Sequence, residues 1–407
     1  MVSFTYCLFT LIGVTSMLDN LRRRAATRFM TLGAVAFAAV ASSTLLTGCD
    51  SVPTTLKIGV AQPLTGNLGA LGTDMLNGVK LAVAELNKEG FKVKGKVVTL
   101  EVVAVDDKAN AATGKEVAQQ LVDQGVVAVI GHLNSGVSIE TAPIYAAKGI
   151  SQLAISTNPK FTQLGFPTTL RIVGNDVLQA RAIGSFAANN LNASKFAVLD
   201  DGTPYGKGLA DGAVGELAKA KKAVAVRQSF DDKTVAFDDV AGKIKTEGVD
   251  AIVTTLNDFQ VLALMQALKK IDYTKVSILG GDTIKTTDML KGAGIVSGLY
   301  ATSPILEPRE FPAGAKFLDA YRAAYKIDPA YGGHYSYDAM YAVASAIKRA
   351  ESGDPKRINE TLRKLDAFAP VTGSMKWDDK GEQRYGVISV YAVRAGAWES
   401  QLRSDSW

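Results

Sequence analysis

Several polar side chains stand just past the ends of apolar runs, where a folded chain would turn them toward a ligand. They are Thr65, Ser135 and Thr157 in the first half, and residues 201–205, Asn257-Asp258 and Asp282 in the second. Hydroxyl donors on one side and the Asp282 carboxylate on the other suit a zwitterion, its carboxylate held at one end and its ammonium at the other. Polar residues after strands are also ordinary loop chemistry, so the weight lies in their coincidence with the architecture around them. Asp282 has a second reading, as the cap of a helical turn beginning near Ile284.

The stretch Val126-Val127-Ala128-Val129-Ile130-Gly131-His132-Leu133-Asn134-Ser135-Gly136 organises the rest. Its small and branched apolar residues predict a strand buried on both faces. The run breaks at Gly131, and Asn134 and Ser135, both good N-caps, precede a helical stretch to about residue 147. A strand that stops where a helix begins leaves N–H groups facing a crevice, at the positive end of the helix dipole. The stretch is either an ordinary capped turn or a seat for a carboxylate or phosphate, to which Ser135 adds a hydroxyl.

Elsewhere the chain alternates short apolar runs with amphipathic stretches. Strands are predicted at 57–61, 98–105, 126–131 and 150–155, with helices at 73–86 and 111–123. A fresh series opens with strands at 195–199, 223–230, 251–254 and 276–279 and helices at 206–220 and 261–270; further helices follow at 313–325, 335–351 and 358–365. Such alternation implies parallel sheets covered by helices. Two series, 56–173 and 174–304, are each near domain size, and two α/β domains place their strand ends around a shared cleft.

The N-terminus reads as an address. Arg22, Arg23, Arg24 and Arg28 form a basic region, an apolar Ala-rich run follows, and Leu46-Thr47-Gly48-Cys49 closes it. That order makes residues 1–48 a secretory signal peptide. The last four residues resemble the bacterial lipoprotein box, in which the Cys is lipidated; residues 49–55 are then a lipidated linker. Asp50 resembles the Gram-negative signal for retention at the inner membrane. Residues before Met17 precede the basic region, the wrong order for a signal, and a start at Met17 would account for them. Most of the formal charge of +5 lies in this leader, so nothing in the body points to nucleic acid. The only cysteines are Cys7 and Cys49, so the body has no disulfide and relies on its core.

Catalytic and cofactor signatures are missing. The two histidines, His132 and His334, are too few and too far apart for a metal set. Asp106-Asp107 reads as a solvated turn rather than a cation site. There is no GxxxxGK, GxSxG or HExxH, and the Gly66 to Gly72 stretch does not fit the dinucleotide fingerprint. No cofactor and no enzymatic activity are expected.

Leu56-Lys57-Ile58-Gly59-Val60-Ala61-Gln62-Pro63-Leu64-Thr65-Gly66, the stretch from Val129 to Gly136, Thr157-Asn158-Pro159, Tyr205-Gly206-Lys207-Gly208 and Tyr337-Asp338-Ala339 resemble the leucine/isoleucine/valine-binding proteins of ABC transporters. The resemblance runs from residue 56 to about 393 with its motifs in order. It implies the type I periplasmic-binding-protein fold, an α/β architecture of two lobes, each a parallel-sheet sandwich, joined by a three-crossover hinge. Lobe 1 would comprise 56–173 and 305–371, and lobe 2 would comprise 174–304 and 372–400. It further implies a monomeric periplasmic receptor, held at the inner membrane by lipid alone, that hands a branched-chain or other apolar α-amino acid to a membrane permease.

Carried over by residue, Ser135 matches the serine that binds the ligand carboxylate, and Thr157 the threonine that binds both ends of the amino acid. Ile155-Ser156 match its backbone neighbour, in a stretch one residue shorter than usual. Tyr205 matches a second-lobe tyrosine facing the ligand, and Asp282 the acid that takes the ammonium. Leu71 stands where an aromatic wall is common, Asn257 near a usual tyrosine, and Asn134 in place of a cysteine; Leu71 and Asn257 would face the ligand's side chain. Some relatives bind amides, urea or aromatic acids, or serve as sensors, and these readings stay open beside transport.

The lipoprotein box generates the first prediction. Cys49→Ala should release the protein from membranes or block its processing, as read by fractionation and mass spectrometry. A variant that still fractionated as a processed lipoprotein would overturn the assignment.

Overall fold

The computed structural model describes residues 52–406, so the leader and Cys49 lie outside the described residues. From residue 52 the chain forms one unit in which two parallel sheets stand apart, each with its own core.

The first sheet contains β1 (Thr55–Gln62), β2 (Thr99–Asp106), β3 (Ala128–Gly131), β4 (Ser151–Ala154) and β5 (Thr169–Arg171), in the order β2-β1-β3-β4-β5. All four pairings are parallel, with Ile58 beside Ala128 and Val60 beside Ile130. Because side chains alternate across a strand, Ile58, Val60 and Ile130 enter one core while Ala61 and Val129 enter another. The first core is closed by α1 (Gly69–Lys88) and, from far along the chain, α8 (Gly314–Tyr325) and α9 (Gly333–Ala350). The second is closed by α2 (Ala111–Asp123) and α3 (Ser135–Ala146).

The second sheet has seven strands. In chain order these are β6 (Lys195–Asp200), β7 (Ala223–Ser229), β8 (Ala251–Thr254), β9 (Ser277–Gly280), β10 (Gly298–Ser303), β11 (Ser389–Arg394) and β12 (Ala397–Arg403). They lie in the order β12-β11-β10-β9-β8-β6-β7, the last two strands of the chain being antiparallel additions. The same alternation splits its two cores. Leu199, Ile252 and Ile278 pack under α6 (Asp238–Glu247) and α7 (Asp258–Lys270), while Val198, Val253 and Leu279 pack under α4 (Asp176–Asn189) and α5 (Pro204–Lys219). The outer strand β12 has no counterpart in the sequence reading. It is an exposed edge with little apolar alternation, so the pattern that marks a buried strand is absent.

The chain therefore passes between the sheets after β5, after β10 and before β11. The three passages touch. A Cβ on Gly174 would lie 3.0 Å from Ile388 Cδ1 and 3.6 Å from Pro304 Cβ, and one on Gly386 would lie 2.8 Å from Gly174 Cα.

Helix α1 begins at Gly69, earlier than the predicted 73, because Gly69 and Gly72 allow the helix to lie against backbone. A Cβ on Gly72 would sit 2.0 Å from the Pro63 carbonyl oxygen. The contact of α1 with α9 has the same basis, since a Cβ on Gly78 would come within 1.9 Å of the Gly333 carbonyl oxygen. Gly78→Ala should force these helices apart and destabilise the fold by about 1–3 kcal/mol. The measurement is denaturant unfolding, and an unchanged midpoint would refute the packing argument.

Candidate functional site

The carboxyl ends of both sheets face a cavity of about 730 Å³. The first-lobe wall comes from the loops after β1, β3 and β4, which supply Leu71, Leu133, Ser135, Ile155 and Thr157. The second-lobe wall comes from the loops after β6, β8 and β9, which supply Tyr205, Asn257, Phe259 and Asp282. At one edge the lobes meet: Asn158 Nδ2 donates to the Pro204 carbonyl at 2.5 Å, and a Cβ on Gly136 would stand 3.2 Å from the Pro204 ring.

At one end of the cleft, α3 starts directly after β3. Asn134 occupies the cap position in an extended conformation, but its side chain makes no cap bond and its Oδ1 has no partner. The first-turn N–H groups lack intrahelical acceptors by the geometry of any helix start. Ser135 Oγ accepts from the Asn158 N–H at 3.2 Å, which leaves the hydroxyl proton free to donate. Ser156 is placed differently from its neighbours. Its Oγ turns away from the cavity to Ser138 Oγ (2.5 Å) and the His132 carbonyl (3.1 Å), and it does not line the wall.

At the other end sits Asp282, 4% exposed, in a short 3-10 turn after β9. Its Oδ1 accepts from Gln179 Nε2 and Tyr205 Oη, each at 3.0 Å, and its Oδ2 from Tyr331 Oη at 2.5 Å. Tyr331 belongs to the first lobe's core, so this carboxylate is held from both lobes. Burial, and then the charge of Asp282, push the Tyr205 and Tyr331 phenols well above their ordinary value, which keeps both as donors. Asp201, on the second-lobe wall, accepts from the Thr203 N–H (3.0 Å) and hydroxyl (2.6 Å) and faces Asn257 Nδ2 at 3.3 Å. Desolvation pushes its carboxyl up to about 6.

Behind the walls lies a polar frame. Asp107 is fully buried and pairs with His132 Nδ1 at 2.6 Å, while His132 Nε2 meets Tyr145 Oη at 3.1 Å. The expectation of a solvated turn at Asp106-Asp107 is thus wrong for Asp107. Its partner is a histidine 25 residues on, which a local reading could not see. The pair also fixes strained backbone at the cleft rim. Lys108 and Ala109, both cavity-lining, have φ of 54° and 53°, and their N–H groups are held by Asp106 Oδ1 and Asp107 Oδ1 at 2.9 Å. At the crossovers, the buried Arg171 gives Nε and Nη2 to Glu382, Nη2 also to the Asn158 carbonyl, and Nη1 to the Ser156 carbonyl. Burial alone would raise Glu382, but the Arg171 guanidinium and the Thr162 and Asn175 donors hold its carboxyl below the usual range.

Sequence reasoning missed Tyr331, Gln179, Phe259 and the buried Asp176. The Gly332-Gly333 pair after Tyr331 was an available signal, because it brings that backbone against Asp74, whose Oδ2 accepts from the Tyr331 and Gly333 N–H groups. Among the described residues no group of three His, Cys, Asp or Glu side chains could hold a metal ion, and no helix is long and apolar enough to cross a membrane.

The family model described as periplasmic binding protein matches residues 55–397. A Leu/Ile/Val-binding protein homolog of Brucella abortus is 31% identical over 345 residues, covering 84% of this chain and 91% of the relative. Among solved structures, a leucine binding protein from Thermotoga maritima superposes with a TM-score of 0.78 at 26% identity, covering 86% of this chain and all of the other. A branched-chain amino acid transporter substrate binding protein from Streptococcus pneumoniae, solved in complex with isoleucine, gives 0.75 at 25% identity, covering 86% and 98%.

The frame behind the cleft generates a prediction of its own. Asp107→Ala leaves the buried His132 Nδ1 without its partner and frees the Ala109 N–H, which should cost about 1–3 kcal/mol of stability in urea unfolding. Unaltered stability would mean that the pair does not brace this wall.

Proposed function

This chain belongs to the periplasmic binding protein family, and from that premise we propose that it is the extracytoplasmic substrate-binding component of an ABC importer. Its ligand is an apolar α-amino acid, branched-chain leucine, isoleucine or valine first among them, which it carries in the interlobe cleft to the permease. The task is binding and release, with no chemical step. In this reading the protein acts as a periplasmic monomer, tethered to the inner membrane through lipid on Cys49.

The observation that carries the proposal is the separation of charge preference across the cavity. Ser135 and the first-turn N–H groups of α3 offer donors to a carboxylate. Asp282 offers a carboxylate to an ammonium. Thr157 lines the same cavity, with its loop held through the Ser156 and Asn158 carbonyls on Arg171. Leu71, Leu133, Ile155 and Phe259 leave the remaining volume mostly apolar, which fits an aliphatic side chain. Asn257 and Asp201 add a polar patch on the second-lobe wall.

The test separates the amino group from the rest of the ligand. Asp282→Asn should weaken leucine and valine by about 2–5 kcal/mol, or about thirtyfold and more, while changing little for the corresponding deaminated acids. Calorimetric titration of both proteins with both ligand sets decides it. A wild type that prefers the deaminated acids, or a variant that binds leucine unimpaired, would transfer the assignment to amides or aromatic acids.

A further inference from the structure

Asp176 opens the 14-residue helix α4 on the second-lobe side of the first crossover. Its N–H donates to the Thr157 carbonyl at 2.9 Å, and Gln179, one turn on, donates to Asp282 Oδ1 at 3.0 Å. The Asp176 carboxyl thus lies between the threonine of the first-lobe wall and the acid of the second. It is buried, at 4% exposure, and neither oxygen has a partner at good hydrogen-bond geometry among the described residues, the Thr157 hydroxyl lying beside it as a weak donor. Helix α4 does not need it as a cap, because Asn175 Oδ1 already accepts from the Val177 and Leu178 N–H groups.

The charged and titratable groups around it are Asp282, Arg171, Glu382, Tyr205 and Tyr331. Two of these are acids that repel a second negative charge. Arg171 attracts it, but its guanidinium is bound to Glu382 and to two carbonyls. The two phenols donate to Asp282. An ionised carboxylate with no more than the Thr157 hydroxyl to solvate it, beside another carboxylate, is costly in the free cleft. An ammonium seated against Asp282 removes that cost.

We propose that Asp176 is the second carboxyl of the ammonium end, holding a proton in the ligand-free protein and losing it to solvent as the ligand's ammonium enters. The inference rests on the amino-acid reading of the cleft and deepens it. In the exchange the Asp176 O–H bond breaks and the proton passes to the buffer, while the ammonium keeps its three N–H bonds. The buried cluster therefore has the same net charge before and after. Burial first, and the charge of Asp282 second, push the free carboxyl up to about 8, so at neutral pH the proton is there to be exchanged. Asp176 then determines specificity, since a deaminated ligand brings no charge to displace the proton. Amino-acid affinity should rise with pH up to about 8, by as much as about tenfold per unit.

The experiment is calorimetric titration with leucine at neutral pH in buffers of different ionisation enthalpy. Wild type should release close to one proton per leucine, and Asp176→Asn close to none. Equal heats in every buffer for wild type, or the same release from the variant, overturns the proposal while leaving leucine binding standing. If no amino acid binds, the transport reading fails and the stored proton is judged in the free protein, by denaturant unfolding across the pH range. The folded carboxyl sits above its unfolded value of about 4, so the folded state binds more protons between there and about 8. Wild type should accordingly lose stability relative to Asp176→Asn as pH rises through that window, and the gap should level off above it. A gap that does not change with pH overturns the proposal.

Discussion

The buried ion pair between Arg171 and Glu382 is the contact on which the site's geometry depends. Arg171 ends β5 in the first lobe, and Glu382 lies 211 residues away on the third passage between the lobes. An unpaired guanidinium with no exposed side-chain surface would not be tolerated there. The chain must therefore return to meet it, and the return fixes the third passage against the first. The remaining guanidinium N–H groups hold the carbonyls on either side of Thr157. Glu382 also accepts from Asn175 Nδ2, the cap of the helix that carries Asp176 and Gln179. One charged contact outside the cavity thus sets residues on both of its walls.

The two ends of the cleft obey opposite solvation rules. The α3 end presents N–H dipoles, which cost little when empty because they carry no net charge. The Asp282 end presents a carboxylate, which needs three donors, from Gln179, Tyr205 and Tyr331, to remain buried. This asymmetry explains why side-chain donors gather around Asp282, while the first-lobe wall mixes Leu71, Leu133 and Ile155 with hydroxyl and amide groups. It also explains the buried tyrosines, which combine a donor with apolar surface.

Much of this was legible in the sequence. The apolar runs at 57–61, 126–131, 195–199 and 251–254 mark strands because parallel strands buried on both faces carry few polar residues. Ser135, Thr157, Tyr205 and Asp282 follow such strands within a few residues, and the structure places all four on the cavity wall. What could not be read were partners distant in the chain. Tyr331 and Asp282 are 49 residues apart, Gln179 and Asp282 are 103 apart, and nothing local in either segment names the other. Asp107 was misread for the same reason, since an acid after a strand looks solvated until its histidine is found. Ser156 shows the converse limit: its neighbours line the cavity, but its own side chain points behind the wall, because a one-residue difference in an extended loop reverses the face.

The cores bear on how such a cleft works. Among the described residues no apolar cluster contains strand residues of both sheets; the first sheet's core ends with Val173 and Ile305 at the passages, and the second's begins with Ile388. The contacts that join the lobes are largely polar, among them Tyr331 to Asp282, Asn158 to the Pro204 carbonyl, Lys285 to Glu307 and Tyr391 to Glu310. Hydrogen bonds of this kind exchange with water at a net gain of about 1 kcal/mol each. Contacts of this strength hold the lobes only weakly, and motion between domains joined by a polar interface is the ordinary expectation. A ligand that touched both walls at once would supply the difference in free energy between open and closed. Gly174 and Gly386 fit this division of labour: by packing without side chains they let three passages lie within van der Waals contact, so the lobes are joined at one narrow point. A cleft hinged at backbone in this way needs no rearrangement inside either core to open or close, so each lobe can be packed as tightly as a rigid domain.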